Sequence, residues 1–310
     1  MKSEETLSNN TFAPADDIRL IDTLHLGRSQ VIGTYLLLGD EPMLVDPGPT
    51  STLTNVEAGL QTHGLTLGDI RTLLLTHIHL DHAGSTGTIL ARYPHIRAYV
   101  HERGAPHMLN PEKLLTSATR LYGELMDVLW GEFRAVPAER LTVLSGGETL
   151  RLGGRTLDVR YAPGHASHHV IYFDQGSGAA FVGDNAGIRL PDSSYVRPAT
   201  PPPDVNLEAW DSTLTMLREF EPKVLCLTHF GPSFDSLAHI DSYRQRLHHW
   251  AEVVRAGLAS GDDEASQIER LQKVAVSELD DFPDEVARYD QAAPLFQSWQ
   301  GLARYWRKRE

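Results

Sequence analysis

The chain has 310 residues, with 28 Lys and Arg against 41 Asp and Glu, for a formal net charge of −13. An apolar share of 41% and a charged share of 22% exclude a disordered chain and allow a sizeable core. No apolar run reaches the ~18 residues of a membrane helix, and the acidic balance opposes binding to a nucleic-acid backbone.

In chain order, the segment Met1–Asp17 is polar and acidic and lacks a signal-peptide pattern, so a cytoplasmic location is expected. Arg19–Leu26, Val31–Leu38 and Met43–Val45 are apolar, partly β-branched runs broken by Gly33, Gly39 and Pro42, and they read as strands. Leu53, Val56 and Leu60 follow helical spacing, with Gly64 placed to end the helix. Arg71–Thr76 is a compact apolar run, Thr86–Tyr93 reads as a helix and His95–Val100 as a strand. From about Glu102 to Glu139 the pattern is helical, interrupting the strands.

A second β-rich block follows: Leu141–Leu144, Thr149–Leu152, Thr156–Tyr161, Val170–Phe173 and Ala179–Val182. After the Pro-rich connector Pro198–Asp204, Leu207, Trp210, Leu214 and Leu217 mark an amphipathic helix capped by Asn206. Lys223–Thr228 is a further strand, and Asp241–Glu310 reads as wholly helical. The expected division is a catalytic domain over residues 1–240, with a helical insertion at about 102–139, and a helical extension over 241–310. The extension is expected to pack on the core, with a homodimer contact as the alternative.

Chemistry concentrates in Thr76-His77-Ile78-His79-Leu80-Asp81-His82. On extended backbone His77 and His79 point to one side, and Asp81 and His82 fall where the chain turns into the next helix. The run can therefore present two histidines to one metal and an Asp/His pair to a second. The chain holds 15 histidines but a single cysteine, Cys226, which rules out a cysteine-based metal site. Cys226 is assigned to strand packing.

This run resembles the His-x-His-x-Asp-His signature of the metallo-β-lactamase-fold superfamily. Asp46 in Val45-Asp46-Pro47-Gly48 resembles the family's structural aspartate, and His165 in Ala162-Pro163-Gly164-His165 its third histidine. Asp184 in Phe181-Val182-Gly183-Asp184 resembles the bridging carboxylate, and His229 in Leu227-Thr228-His229-Phe230 the last histidine.

The resemblance implies an α/β fold, a four-layer αβ/βα sandwich carrying the helical insertion and the C-terminal extension. It implies two divalent metal ions, zinc first with iron or manganese as alternatives. His77, His79 and His165 would hold one ion, Asp81, His82 and His229 the other, and Asp184 would bridge them. Asp81 would also steer the proton of the attacking water, and His169 would support the ligands from behind, as Asp46 does.

The expected activity is a dinuclear hydrolase cleaving a small ester, thioester, lactone or phosphoester through metal-bound hydroxide. A mononuclear-iron persulfide dioxygenase on the same fold is the alternative. The bridging Asp184 argues against antibiotic hydrolysis. Glyoxalase II relatives usually continue the histidine run with Gly-Gly, where this chain has Ala83-Gly84-Ser85, and no basic cluster is evident for a glutathione carboxylate. Tyr195 and Arg189, beyond Asp184, are weak substrate-binding candidates, and a solvent-facing loop is the favoured reading for both. Tyr122, Met126, Trp130 and Phe133 of the insertion either roof an apolar pocket or, as favoured here, bury against the sandwich. The partner is a small molecule, with no nucleic acid and no membrane expected.

Overall fold

A computed structural model describes residues 13–279 and 285–309. Most of the polar leading segment and the expected helix over 280–284 lie outside the described residues. Among the described residues, no helix is long and apolar enough to cross a membrane.

Two six-stranded sheets form the centre. The first contains β1 (Ile18–Asp22), β2 (Gly33–Leu37), β3 (Met43–Val45), β4 (Thr72–Leu74), β5 (Arg97–His101) and β6 (Leu141–Leu144), in that order. Its first three strands pair antiparallel, and β3 to β6 pair parallel. The second contains β7 (Thr149–Leu152), β8 (Arg155–Tyr161), β9 (Val170–Asp174), β10 (Ala179–Gly183), β11 (Val224–Leu227) and β12 (Gly231–Ser233), also in sequence order. Here β10 and β11 are parallel and the other pairs antiparallel.

Period-two alternation builds the layers. Tyr35, Met43, Val45 and Leu74 of the first sheet meet Leu157, Tyr172, Phe181 and Cys226 of the second. The intervening residues face outward: Leu36, Leu44 and Leu73 pack against α1 (Leu53–Gln61) and α3 (Thr86–Arg92). On the opposite side, Ala180, Val182, Leu225 and Leu227 pack against α7 (Leu207–Glu219) and α8 (Ser236–Ser260). The result is helix, sheet, sheet, helix, as expected, with Cys226 buried between the sheets.

Two tyrosines cross the sandwich. Tyr35 donates from its hydroxyl to Leu227 O at 2.8 Å, and Tyr172 donates to Leu75 O at 3.0 Å. Backbone bonds Val170 N–H to Thr76 O and Gly33 N–H to Thr228 O, both 2.8 Å, pin the sheets together at the strand ends that carry the histidines.

The tail comprises the end of α8 with α9 (Glu264–Ser277), α10 (Val286–Ala292) and α11 (Leu295–Arg307). Trp250, Leu271, Trp299 and Leu302 join the core outside the second sheet. Burying each such side chain is worth about 1.5–3 kcal/mol. Asn206 caps α7 as expected, its side chain accepting from Ala209 N–H at 3.0 Å.

Local expectations change in two places. The first strand stops at Asp22 rather than Leu26, because the Asp22 carboxylate captures the N–H groups of Leu24 and Gln30 at 3.0 and 2.8 Å and turns the chain. The insertion is helical only through α4 (Ala105–Leu109), α5 (Glu112–Tyr122) and α6 (Met126–Leu129). It then leaves the helix at Gly131, at φ +69°, where a Cβ would stand 2.8 Å from Ser51 N. The following stretch returns across the first sheet's helices, with Val136 N–H bonded to Met108 O at 2.8 Å.

Candidate metal centre

The ends of β4, β10 and β11 and the loop after β8 converge at one edge of the sandwich, each delivering part of the ligand set. His77, His79, His165 and Asp184 offer ligand atoms within 4.8 Å of one another, and Asp81, His82 and His229 form a second such group. The structure therefore brings together all seven residues singled out as ligands.

Within the first group His79 Nδ1 stands 3.0 Å from both His77 Nε2 and His165 Nε2. His165 Nε2 lies 3.4 Å from Asp184 Oδ2. The other oxygen, Asp184 Oδ1, faces the second group, 3.2 Å from His82 Nε2 and 3.4 Å from His229 Nε2. His229 Nε2 is 3.2 Å and His82 Nε2 3.5 Å from Asp81 Oδ2. One carboxylate thus spans the two groups, an oxygen to each.

These spacings test whether metal fits. Ligands held 2.0–2.2 Å from a tetrahedral ion stand about 3.3–3.6 Å apart, close to the separations found. The Nε2 atoms of His82 and His229 and Oδ1 of Asp184 are buried and make no well-aligned hydrogen bond. Buried polar atoms rarely go unsatisfied without a reason, and a divalent cation supplies one here. The donor set of five imidazoles and two carboxylates suits zinc and its neighbours.

The opposite ring nitrogens fix the orientation. His82 Nδ1 donates to Asp46 Oδ2 at 2.8 Å. His77 Nδ1 meets Thr76 Oγ1 at 3.1 Å, and that hydroxyl donates to Asp46 Oδ2 at 2.7 Å. Asp46 also accepts from Thr76 N–H at 2.8 Å and Thr228 Oγ1 at 3.1 Å. His165 Nδ1 donates to Ala199 O at 2.9 Å and His229 Nδ1 to Val31 O at 2.6 Å. Such partners select the tautomer that leaves Nε2 free. Asp46 thus touches His82 directly and His77 through Thr76.

His169 sits behind Asp184. Its Nδ1 is 2.9 Å from Asn185 Nδ2 and its Nε2 is 3.4 Å from the Asp184 amide nitrogen. Gly183, at φ +50°, makes room for this arrangement: a Cβ there would stand 2.5 Å from Thr76 Oγ1 and 2.6 Å from His169 Nε2.

The charge states of the first group suit cation binding, whereas in the second a cation would have to displace protons. Burial, reinforced by the surrounding histidines, pushes His77 and His169 well below the usual imidazole range and His79 to about 4. Neutral imidazoles are what a metal requires. Burial acts the same way at His82 and His229. There Asp184 and Asp81, joined by Asp46 at His82, override it and hold both above the usual range. Burial opposes ionisation of Asp184 and Asp81, but the adjacent His82 and His229 keep both as carboxylates.

A cavity of about 480 Å3 opens above His79, Asp81 and Asp184. Tyr122 and Trp130 line it and also pack with Val31 and Leu80, so for these two both expected roles are met. Met126 and Phe133 do pack, against the cluster holding Val31, Leu80 and Trp130. Residues 291–294 and 296–298 of the tail close one side. Three distant segments meet at His25, which stacks on Trp130 at 5.4 Å. Its Nε2 bonds Leu129 O at 2.9 Å, and its carbonyl accepts from Gln291 at 2.9 Å.

Tyr195 and Arg189 are placed differently from the solvent-facing reading, and neither lines the cavity. Tyr195 is buried beside Tyr289, with its hydroxyl 3.5 Å from Glu278. Arg189 is half-buried and uses its backbone N–H to bond His229 O at 2.9 Å. Arg103, His107 and Lys113, which the sequence did not mark as a cluster, are the basic residues of the cavity lining besides the histidines already named. His25, Arg103, His107, Lys113 and the tail residues had no linear signal, whereas His168, close to His165, is the extra cavity residue that proximity to the motif could have flagged.

The sequence profile of the metallo-β-lactamase superfamily matches residues 31–229. The chain is 26% identical over 208 residues to the metallo-β-lactamase fold-containing protein ST1585 of Sulfurisphaera tokodaii, covering 65% of this chain and 74% of that protein. It is 25% identical over 244 residues to the probable metallo-hydrolase YqjP of Bacillus subtilis, covering 71% and 74%. The hydroxyacylglutathione hydrolase of Aeromonas hydrophila is 28% identical over 142 residues, but the match spans only 41% of that enzyme and 46% of this chain. The solved metallo-β-lactamase family protein TTHA1429 of Thermus thermophilus superposes with a TM-score of 0.70 at 23% identity, over 96% of this chain and 95% of that one. With fold, ligand order and profile in agreement, the chain belongs to the metallo-β-lactamase superfamily.

Proposed function

We propose that the protein is a dinuclear metal-dependent hydrolase, with zinc as the first candidate ion, cleaving a small ester, thioester, lactone or phosphoester. The observation that carries this reading is Asp184 turning one oxygen to each of two complete ligand groups. Two divalent ions bound there would supply Lewis acidity and hydroxide at neutral pH.

The chain's own residues supply the rest. Asp46, Ala199 O and Val31 O lock the imidazoles so that no side chain must reorganise during turnover. Asp81 is the only member of the second group that is partly exposed and it borders the cavity, so its carboxylate can take the proton released by the attacking water. The apolar walls around Tyr122 and Trp130 limit bulk water at the reacting bond.

The test is metal analysis of natively purified protein with a panel of esters, thioesters, lactones and phosphoesters. Asp81→Ala and His165→Ala serve as controls. Two ions per chain, and turnover lost by at least 100-fold in both variants, are expected. A metal-free native protein refutes the reading. One iron per chain with oxygen uptake on a persulfide replaces it with an oxygenase.

A further inference from the structure

The cavity has two chemically different ends, and each adjoins a different ligand group. Helix α5 runs along it and changes character as it goes, from Lys113 in its first turn to Ala118, Leu121 and Tyr122. At 1.5 Å per residue, Lys113 and Tyr122 are separated by about 13 Å along the axis.

Arg103 and His107, just before and within α4, line the same cavity. The Arg103 guanidinium lies 5.5 Å over the ring of Tyr161, whose hydroxyl donates to Ser167 O at 3.0 Å. The next residue, His168, has its ring 5.5 Å from His79 and 6.1 Å from His77. The Arg103 end therefore adjoins the group made by His77, His79 and His165. Neither Arg103 nor Lys113 makes an ion pair among the described residues. The nearby Asp204 carboxylate is engaged by Ser167, whose hydroxyl donates to it at 2.5 Å.

At the other end Tyr122 and Trp130 meet edge-on at 5.2 Å and pack with Val31, Leu80 and Ala118. The carbonyl of Val31 is the acceptor for His229, and Leu80 directly precedes Asp81. The apolar end therefore adjoins the group made by Asp81, His82 and His229. A volume of about 480 Å3 is ordinary for a small-molecule site.

Resting on the hydrolase reading above, we propose that the substrate is a two-armed ester or thioester. Its apolar arm lies among Leu121, Tyr122 and Trp130 beside the second ligand group, and its anionic arm is held by Arg103, His107 and Lys113 beside the first. The scissile bond then spans the two groups at Asp184. Unpaired cations at one end and an apolar wall at the other orient the substrate as well as bind it.

Binding and cleavage are measured separately on the metal-loaded full chain. The binding probe is S-octyl-3-mercaptopropionate, compared by calorimetry with the corresponding neutral alcohol, S-octyl-3-mercaptopropanol; neither carries a cleavable ester. The acid binds at least tenfold more tightly. In Arg103→Ala/Lys113→Ala, both exposed positions, the ratio falls below threefold. In Leu121→Trp the octyl ligand weakens at least fivefold relative to its ethyl homologue. Equal affinity for acid and alcohol, a ratio that survives the double substitution, or indifference to chain length overturns the inference. The cleavage probe is S-octanoyl-3-mercaptopropionate. Selective binding without cleavage refutes the hydrolase reading and leaves the two-ended site standing. Cleavage without any acid preference refutes the two-ended site and leaves the hydrolase.

Discussion

Asp46→Asn is a nearly isosteric change with an outcome set by hydrogen-bond polarity. Asp46 Oδ1 accepts one bond, from Thr76 N–H, while Oδ2 accepts three, from Thr76 Oγ1, Thr228 Oγ1 and His82 Nδ1. An amide that keeps its oxygen on Thr76 N–H turns its NH2 toward the other three groups. The two hydroxyls can rotate to accept, but His82 Nδ1–H cannot. It must give up that proton and carry it on Nε2, where it points at the second ligand group. Flipping the amide instead sets NH2 against the fixed Thr76 N–H, leaving a buried donor unpaired at about 1–3 kcal/mol. Asp46 has φ +51°, a conformation that asparagine shares, so the backbone does not confound the change.

Loss of such an orienting partner typically costs 10–100-fold in metal affinity, or about 1.4–2.8 kcal/mol. The loss should fall on the group containing His82, while the His77, His79 and His165 group stays within about threefold. Stepwise metal titration against a competing chromophoric chelator reads the two affinities. Long-range 15N–1H correlation in the metal-loaded protein reads whether His82 keeps its proton on Nδ1. Two sites of unchanged affinity, or equal weakening of both with His82 Nδ1 still protonated, would refute the reasoning.

Three further outcomes follow from the same geometry. Stripping metal with a chelator should lower the melting temperature, since a single site at a free-ion level 100 times its Kd adds about 2.7 kcal/mol; identical thermograms with and without chelator would count against metal binding. Gly183→Ala places a methyl against Thr76 Oγ1 and His169 Nε2 in a left-handed backbone, so about 1–3 kcal/mol of stability and at least tenfold in metal affinity should be lost, read by urea unfolding and metal titration. His239, which bonds Ala186 O at 2.8 Å, is pushed by burial down to about 4 from 6.5. Its folded form resists protonation, so stability is unaffected above pH 6.5 and falls between pH 6.5 and 4, by about 3 kcal/mol at 1.36 kcal/mol per unit; apo His239→Gln should lack that increment in urea unfolding at pH 7 and pH 4.

The sandwich and the ligand set were legible because their causes are local. Alternation such as Met43-Leu44-Val45 shows two buried faces, and His77 to His82 cluster within six residues. What supports those ligands was half visible. Asp46 stood in a recognisable motif, but Ala199 O and Val31 O are backbone groups, and any residue type could occupy their positions. The cavity was the least legible part. Trp130 reads as a core residue because most aromatic residues at helical spacing are, and its exposure to the cavity depends on a tail some 160 positions further along. Likewise Arg103, His107 and Lys113 are isolated basic residues in sequence, and only the folded insertion sets all three on one cavity lining.

The ligands and the enclosing wall are completed at different times during synthesis. The last ligand, His229, is translated well before residues 291–298 that shut one side of the chamber. A nascent chain, or one cut before residue 290, holds every residue needed to capture metal, while its reaction centre stands open to whatever diffuses past. On the hydrolase reading proposed above, selectivity would therefore follow capture of metal, and it would depend on the closing helix reaching its place beside His25.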